Sequence, residues 1–130
     1  MRIYFLHHSA VCVALDQSLL VFDYYRFAHG KGIPDGHVSA DDIKAAGRAY
    51  VFVSHAHHDH FNRRIFDWAD IGVPVTFILD STVPATNVPQ GAVFLCRGET
   101  FDDGNIRVRE FGSTDMGGSF GRSAAQDGLG

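Results

Sequence analysis

The sequence predicts an α/β fold built on one mixed β-sheet with two short helices. Short apolar runs, which are typical of strands, recur along the chain as far as Phe111. Two segments that carry helix-start signals lie between these runs, and strands that alternate with helices favour a layered sheet. Hydrophobic residues make up 45% and charged residues 20% of the 130 residues, which is the balance of a globular domain. This balance excludes a collagen, a coiled coil and disorder of the whole chain.

The first part of the chain is predicted to form a β-meander. The apolar runs at residues 3–6, 10–15 and 19–25 are three strands, and the polar tripeptide between the last two is a tight connection. Residues 26–38 contain three glycines, a proline and two histidines, so they predict a loop.

A first short helix is predicted after this loop. Ser39 is a suitable N-cap, and Asp41 and Asp42 lie in the first turn, where the helix dipole favours negative charge. The helix is expected to reach about Ala46, because Gly47 is a typical C-terminal stop.

The middle of the chain predicts a strand that is buried on both faces, since residues 49–53 form a continuous apolar run. Asn62 is a suitable cap for a second short helix over residues 63–69. The sequence Asp103-Gly104 is a hairpin signal. Further strands are predicted at residues 75–79, 92–95 and 105–111.

The strand at residues 105–111 is predicted to be half-buried. Its apolar residues Ile106, Val108 and Phe111 are expected to face the core, although the alternation breaks at the end. The residues expected on the opposite side are Arg107, Arg109 and Glu110.

The segment with the strongest functional signal is Ser-His-Ala-His-His-Asp-His at residues 54–60, directly after the buried strand. Histidine and aspartate are both metal ligands. Residues two apart in an extended turn point the same way, so His55 and His57 can bind one ion, while Asp59 and His60 can bind a second. Two ions about 3.5–4 Å apart can share a hydroxide. The alternative is a solvated loop that is rich in histidine without binding a physiological metal.

This segment matches the HxHxDH signature of the metallo-β-lactamase fold superfamily, which the chain resembles over residues 1–120. The opening meander that ends in Asp23 is also similar to that family. So are residues 112–120, where Asp115 stands at the position of a histidine in many members. The resemblance implies a four-layer αββα sandwich, of which this chain is the N-terminal half, a half-sandwich. Residues 121–130 are expected to form a flexible, glycine-rich tail.

The resemblance also implies roles for the residues of the signature. His55 and His57 would bind the first metal ion, and Asp59 and His60 the second. Asp59 would in addition act on the attacking water as the catalytic residue. Asp115 is either a further ligand of the first ion or a turn residue.

Two residues outside the signature are candidates for supporting it. Asp23 either orients a ligand histidine, as the resemblance implies, or only ends a strand. His8 resembles a histidine near the site in related chains, and its alternative role is a structural one. His58 occupies the variable position of the signature.

The function implied is that of a metal-dependent hydrolase, in which a metal-activated hydroxide attacks an ester, amide or phosphoester of a small-molecule substrate. The expected cofactor is Zn²⁺, as one or two ions, and the same ligands also accept Mn²⁺ or Fe. Members of the superfamily carry further ligands in a second half. The alternative is therefore a non-catalytic, truncated metal-binding fragment, whose exposed sheet face would let copies form a homo-oligomer.

Charge and targeting signals argue against other partners. Lys plus Arg is 11 and Asp plus Glu is 15, and the net charge of −4 disfavours nucleic acid and anionic membranes. No apolar stretch approaches the length of a membrane span, and no signal peptide is apparent, so the cytoplasm is the expected location. Cys12 and Cys96 are expected to be buried free thiols, with a single disulfide bridge as the alternative.

Overall fold

Two β-sheets form the frame of the protein. The structure, a computed structural model, describes residues 1–7, 10–27, 32–56, 60–112 and 118–122. Nine strands lie within these residues, six in a larger sheet and three in a smaller one. The strands are β1 (Arg2–His7), β2 (Ala10–Ala14), β3 (Leu19–Phe22), β4 (Ala49–Val53), β5 (Val75–Asp80), β6 (Val93–Leu95), β7 (Thr100–Asp102), β8 (Arg107–Gly112) and β9 (Gly118–Arg122).

The larger sheet is mixed and has the strand order β1-β2-β3-β4-β5-β6. Strands β1, β2 and β3 pair antiparallel, which confirms the opening meander. Strands β3 to β6 pair in parallel, with helical segments among their connections. The prediction of an α/β fold with a mixed sheet and short helices is therefore confirmed. The smaller sheet, β7-β8-β9, is antiparallel and is an addition to the single sheet that was expected.

Strand β4 lies in the middle of the core, and all five of its residues are buried, as the continuous apolar run predicts. On one face, Val51 and Val53 pack in a cluster with Ile43 and Trp68 from the helical segments. On the other face, apolar side chains of β4 belong to a second cluster shared with the smaller sheet. The members of that cluster include Tyr50, Phe52, Ile106 and Val108.

The first helix, α1 (Ala40–Ala46), has the predicted ends. The Asp42 backbone N–H donates to Ser39 Oγ at 3.3 Å, and the Ser39 N–H donates to Asp42 Oδ2 at 2.9 Å. These two bonds form a capping box, which satisfies backbone donors at the helix start. Gly47 ends the helix with a φ of 88°, in the left-handed region that favours glycine.

The short helix predicted over residues 63–69 is a 3₁₀ helix, Arg63–Asp70. Asn62 caps it, since its side chain accepts from the Arg64 N–H at 2.9 Å. The Asn62 amide also donates to the Tyr25 carbonyl at 2.9 Å, so the cap ties this helix to the segment after β3. Ile65 and Trp68 are the buried side chains that attach it to the sheet.

The apolar surface differs from the expectation of an open sheet face. The smaller sheet covers the middle of that face, where Leu20, Phe52 and Ile78 are buried. Exposed apolar side chains lie on the outer strand β1, where Ile3 is 45% and Phe5 86% exposed, and also at Phe94 on β6 and Phe111 on β8. Association of copies through an apolar surface stays a prediction, and Phe5 on β1 is the most exposed large apolar side chain among the described residues.

The two cysteines differ in burial. Both are free thiols, and Cys12 is buried, as expected. Cys96 is exposed, which corrects the expectation of burial, because it lies just past the end of the short strand β6. Burial, and then the nearby Asp42 charge, raise the pKa of Cys12 to about 12.

Within the described residues, no helix is long and apolar enough to cross a membrane. Strand β9 includes Gly121 and Arg122, the first two residues of the predicted tail, and residues 123–130 lie outside the described part of the chain.

We predict that Ser39→Ala lowers the free energy of unfolding by about 1 kcal/mol, because it removes the N-cap side of the capping box. Urea denaturation measures this change. Ser81→Ala, at an exposed turn position, is the matched control and should change stability by less than about 0.5 kcal/mol. An equal loss in both variants would contradict a role for the cap.

Candidate metal centre

The candidate site lies at the carboxyl ends of the parallel strands β3 and β4. Asp23 directly follows β3, and Ser54 and His55 directly follow β4. The Asp23 N–H donates to the Phe52 carbonyl at 2.9 Å, so the backbone of the two strands stays joined up to the site. The carboxyl ends of parallel strands are the place where α/β proteins put their functional residues.

Asp23 is both buried and conformationally unusual. It is 8% exposed and has a φ of 50°, a value that is uncommon for residues other than glycine. Its carboxylate accepts two hydrogen bonds from Ser54, from the backbone N–H to Oδ1 at 2.7 Å and from Oγ to Oδ2 at 2.6 Å. Unusual backbone geometry of this kind persists where the surroundings fix it, and it is concentrated at functional sites.

The Asp23 carboxylate connects two histidines of the signature. Oδ2 lies 3.2 Å from Nδ1 of His60. The Ser54 hydroxyl donates to the same oxygen and lies 2.9 Å from Nδ1 of His55, where it can accept the Nδ1–H. The centroids of the two imidazole rings are 4.5 Å apart. With Nδ1 of both rings used in this way, Nε2 would be the ligating nitrogen of each histidine.

The electrostatics of Asp23 favour a nearby cation. Burial raises the pKa of its carboxyl group, although the hydrogen bonds from Ser54 and the contact with His60 act in the opposite direction. A raised pKa means that the negative form is not fully compensated by the groups around it. A positive ion held by the adjacent histidines would supply the missing compensation.

Two acidic residues that the sequence did not single out lie between the two sheets. Asp80 ends β5 and is 3% exposed, and Glu110 on β8 is 0% exposed. Burial acts to raise the pKa of Asp80, but contacts with Glu110 and Thr82 and the nearby His55 hold it below the usual value. Burial and then Asp80 raise the pKa of Glu110 to about 8.

The inward position of Glu110 corrects the prediction for the last part of β8. Ile106, Val108 and Glu110 are all buried, whereas Phe111 is 49% exposed. Strict alternation along a strand places residues 106, 108 and 110 on one side. The prediction was wrong because it assigned Phe111 to the core by its hydrophobicity. The two-residue period of a strand would have placed Glu110 on the same side as Ile106 and Val108.

The described part of the chain therefore brings together three of the predicted site residues, namely His55, His60 and Asp23. Among the described residues, no group of three or more His, Cys, Asp and Glu side chains could hold a metal ion. The other predicted site residues lie outside the described ranges, and they are His8, His57, Asp59 and Asp115.

The chain matches no protein-family model, and it matches no curated protein.

We predict that stability falls as the pH rises from about 5 to 8, and that Glu110→Gln reduces this fall. The ordinary pKa of a glutamate is 4.5, and that of Glu110 in the folded protein is about 8. The folded state therefore holds a proton that the unfolded state has lost in this range. This difference in bound protons lowers the free energy of unfolding by up to about 1.4 kcal/mol for each pH unit.

Urea denaturation at a series of pH values, compared between the wild type and Glu110→Gln, isolates the contribution of Glu110 from that of the histidines. Glu99→Gln, at an exposed neighbouring position, is the matched control; it removes only one of the smaller causes of the raised Glu110 pKa and should keep most of the wild-type slope. Parallel curves for the wild type and Glu110→Gln would contradict the prediction.

Proposed function

We propose that the protein is a metal-dependent hydrolase of the metallo-β-lactamase fold superfamily, which cleaves an ester, amide or phosphoester of a small molecule. The observation that carries the proposal is the double role of Asp23. Its carboxylate contacts His60 directly and reaches His55 through the Ser54 hydroxyl. Both histidines belong to the HxHxDH segment.

A buried carboxylate that orients histidines through Nδ1 is the typical support of a metal site, because it fixes the tautomer and direction of each ring. A solvated histidine-rich loop would need neither the burial of Asp23 nor its unusual φ of 50°. The site geometry therefore supports metal binding over the alternative of an incidental loop.

The donor set fits Zn²⁺, which prefers histidine nitrogen and carboxylate oxygen, and Mn²⁺ or Fe are compatible with the same residues. His55 and His57 would hold one ion, and Asp59 and His60 a second, with Asp115 as a further ligand of the first. A bound ion would supply Lewis acidity and lower the pKa of water to near neutrality.

The residues of the chain then have separate tasks. Asp23 and Ser54 keep His55 and His60 in place before the ion arrives, so that ordering the ligands costs little at binding. Asp59 would take the proton of the attacking water through its carboxylate. The net charge of −4 supports a small-molecule substrate over a nucleic acid. The cytoplasm is the compartment proposed, and the two free cysteines support it.

We predict that the purified chain retains one or two Zn²⁺ ions, and that His57→Ala lowers its zinc affinity much more than His58→Ala. The reason is that the signature makes residue 57 a ligand and residue 58 the variable position. Elemental analysis gives the metal content, and competition with a zinc chelator gives the affinity.

The zinc-loaded protein is then assayed on ester, amide and phosphoester substrates. Turnover that His57→Ala abolishes is the result expected of a hydrolase. Tight zinc binding without turnover would favour the non-catalytic metal-binding fragment. Equal zinc affinities of the two variants would refute the assignment of the ligands.

We predict that Ser54→Ala lowers zinc affinity by about 10–100-fold, because Asp23 then no longer reaches His55. Ser54→Thr keeps a hydroxyl at this position and should restore most of the affinity. Chelator competition measures both variants, and circular dichroism confirms that they are folded. If Ser54→Ala binds zinc as tightly as the wild type, the hydroxyl does not position His55.

A further inference from the structure

A second polar cluster lies between the two sheets and is made of different residues from the histidine site. It consists of Asp80 on the larger sheet, Glu110 on the smaller sheet, and Thr82 just after Asp80. Both carboxyl groups are almost completely buried, with exposures of 3% for Asp80 and 0% for Glu110. The Thr82 backbone N–H donates to Asp80 Oδ2 at 2.9 Å, and the Thr82 hydroxyl donates to the same oxygen.

Glu110 is the unusual member of this cluster. Both of its carboxylate oxygens are buried and accept no hydrogen bond from any described residue. After burial, the contact of its side chain with Asp80 has the largest effect on its pKa, followed by the negative charges of Asp80 and Glu99, whereas Arg97 attracts its negative form. Asp80 in turn lies near the charge of His55. Buried carboxylates normally have hydrogen-bond donors or bind a metal, because burial of an unpaired charge is very costly.

We propose that Asp80 and Glu110 form a binding site for a hard divalent cation, Ca²⁺ or Mg²⁺, between the two sheets. Two carboxylates supply the negative charge that such an ion needs, and the Thr82 hydroxyl adds a neutral oxygen beside them. An oxygen-only donor set selects Ca²⁺ and Mg²⁺, whereas the imidazole nitrogens of the other site suit Zn²⁺.

The ion would connect the two sheets, since each sheet contributes one carboxylate. It would also replace the proton that Glu110 otherwise holds, so its binding should strengthen as the pH rises. Because an ion that binds only the folded state stabilises that state, the melting temperature should rise with its concentration. This site does not depend on the proposed hydrolase activity.

The test is isothermal titration calorimetry of the full metal-free chain with Ca²⁺ and with Mg²⁺, at pH 7.0 and pH 8.5. We expect one ion per chain, with higher affinity at pH 8.5. Glu110→Gln should lower the affinity by more than about 100-fold, which exceeds the loss typical of an indirect effect. Glu99→Gln, with a charge removed nearby, should lower it by less than about tenfold.

Two results would overturn the proposal. One is the failure of the wild-type chain to bind either ion at pH 8.5, which would make Glu110 a protonated residue that donates to Asp80. The other is unchanged binding by a folded Glu110→Gln variant. Asp80→Asn is the second variant, and it should lose the ion in the same way. His57→Ala should retain Ca²⁺ while losing Zn²⁺, so the two metal sites are tested separately.

Discussion

The hydrogen bonds between the Asp23 carboxylate and Ser54 hold the candidate site together. They exist because β3 and β4 are parallel neighbours in exact register, from Leu19 opposite Ala49 to Phe22 opposite Phe52. The register brings the residues that follow each strand to the same edge of the sheet. The positive φ of Asp23 places its carboxylate against Ser54, which follows β4. The same carboxylate contacts His60 directly and His55 through the Ser54 hydroxyl.

Rigidity at this edge comes from aromatic packing on both faces of the sheet. Phe22 directly precedes Asp23, and Phe52 lies two residues before Ser54. Their rings stack with centroids 4.4 Å apart. On the helical face, Tyr24 stacks on Trp68 at 5.7 Å. Dense packing of this kind resists small displacements. The side chains of Asp23 and Ser54 therefore project from a densely packed part of the sheet, and this packing helps to fix their positions.

Local sequence patterns predicted most strands of the larger sheet and the segment after β4 that carries the candidate site. They did not predict the pairing of segments that are far apart in the chain. The capping box at Ser39 and the apolar run of β4 act within a few residues, so their patterns are visible in the chain. The smaller sheet depends on β8 joining β7 and β9, and the Asp23–His60 contact joins residues 37 positions apart. Glu110 was missed for a different reason, since its charge was given more weight than its place in the strand.

The two metal proposals share an electrostatic origin. Asp23 and Asp80 are buried at the carboxyl ends of the parallel strands β3 and β5, and Glu110 is buried on β8 of the smaller sheet. Burial raises the pKa of Asp23 and of Glu110. A protein that buries carboxylates must compensate them with protons, cations or donors. Ser54 supplies donors to Asp23, and Thr82 supplies them to Asp80. Glu110 has none among the described residues, so its compensation has to be a proton or an ion.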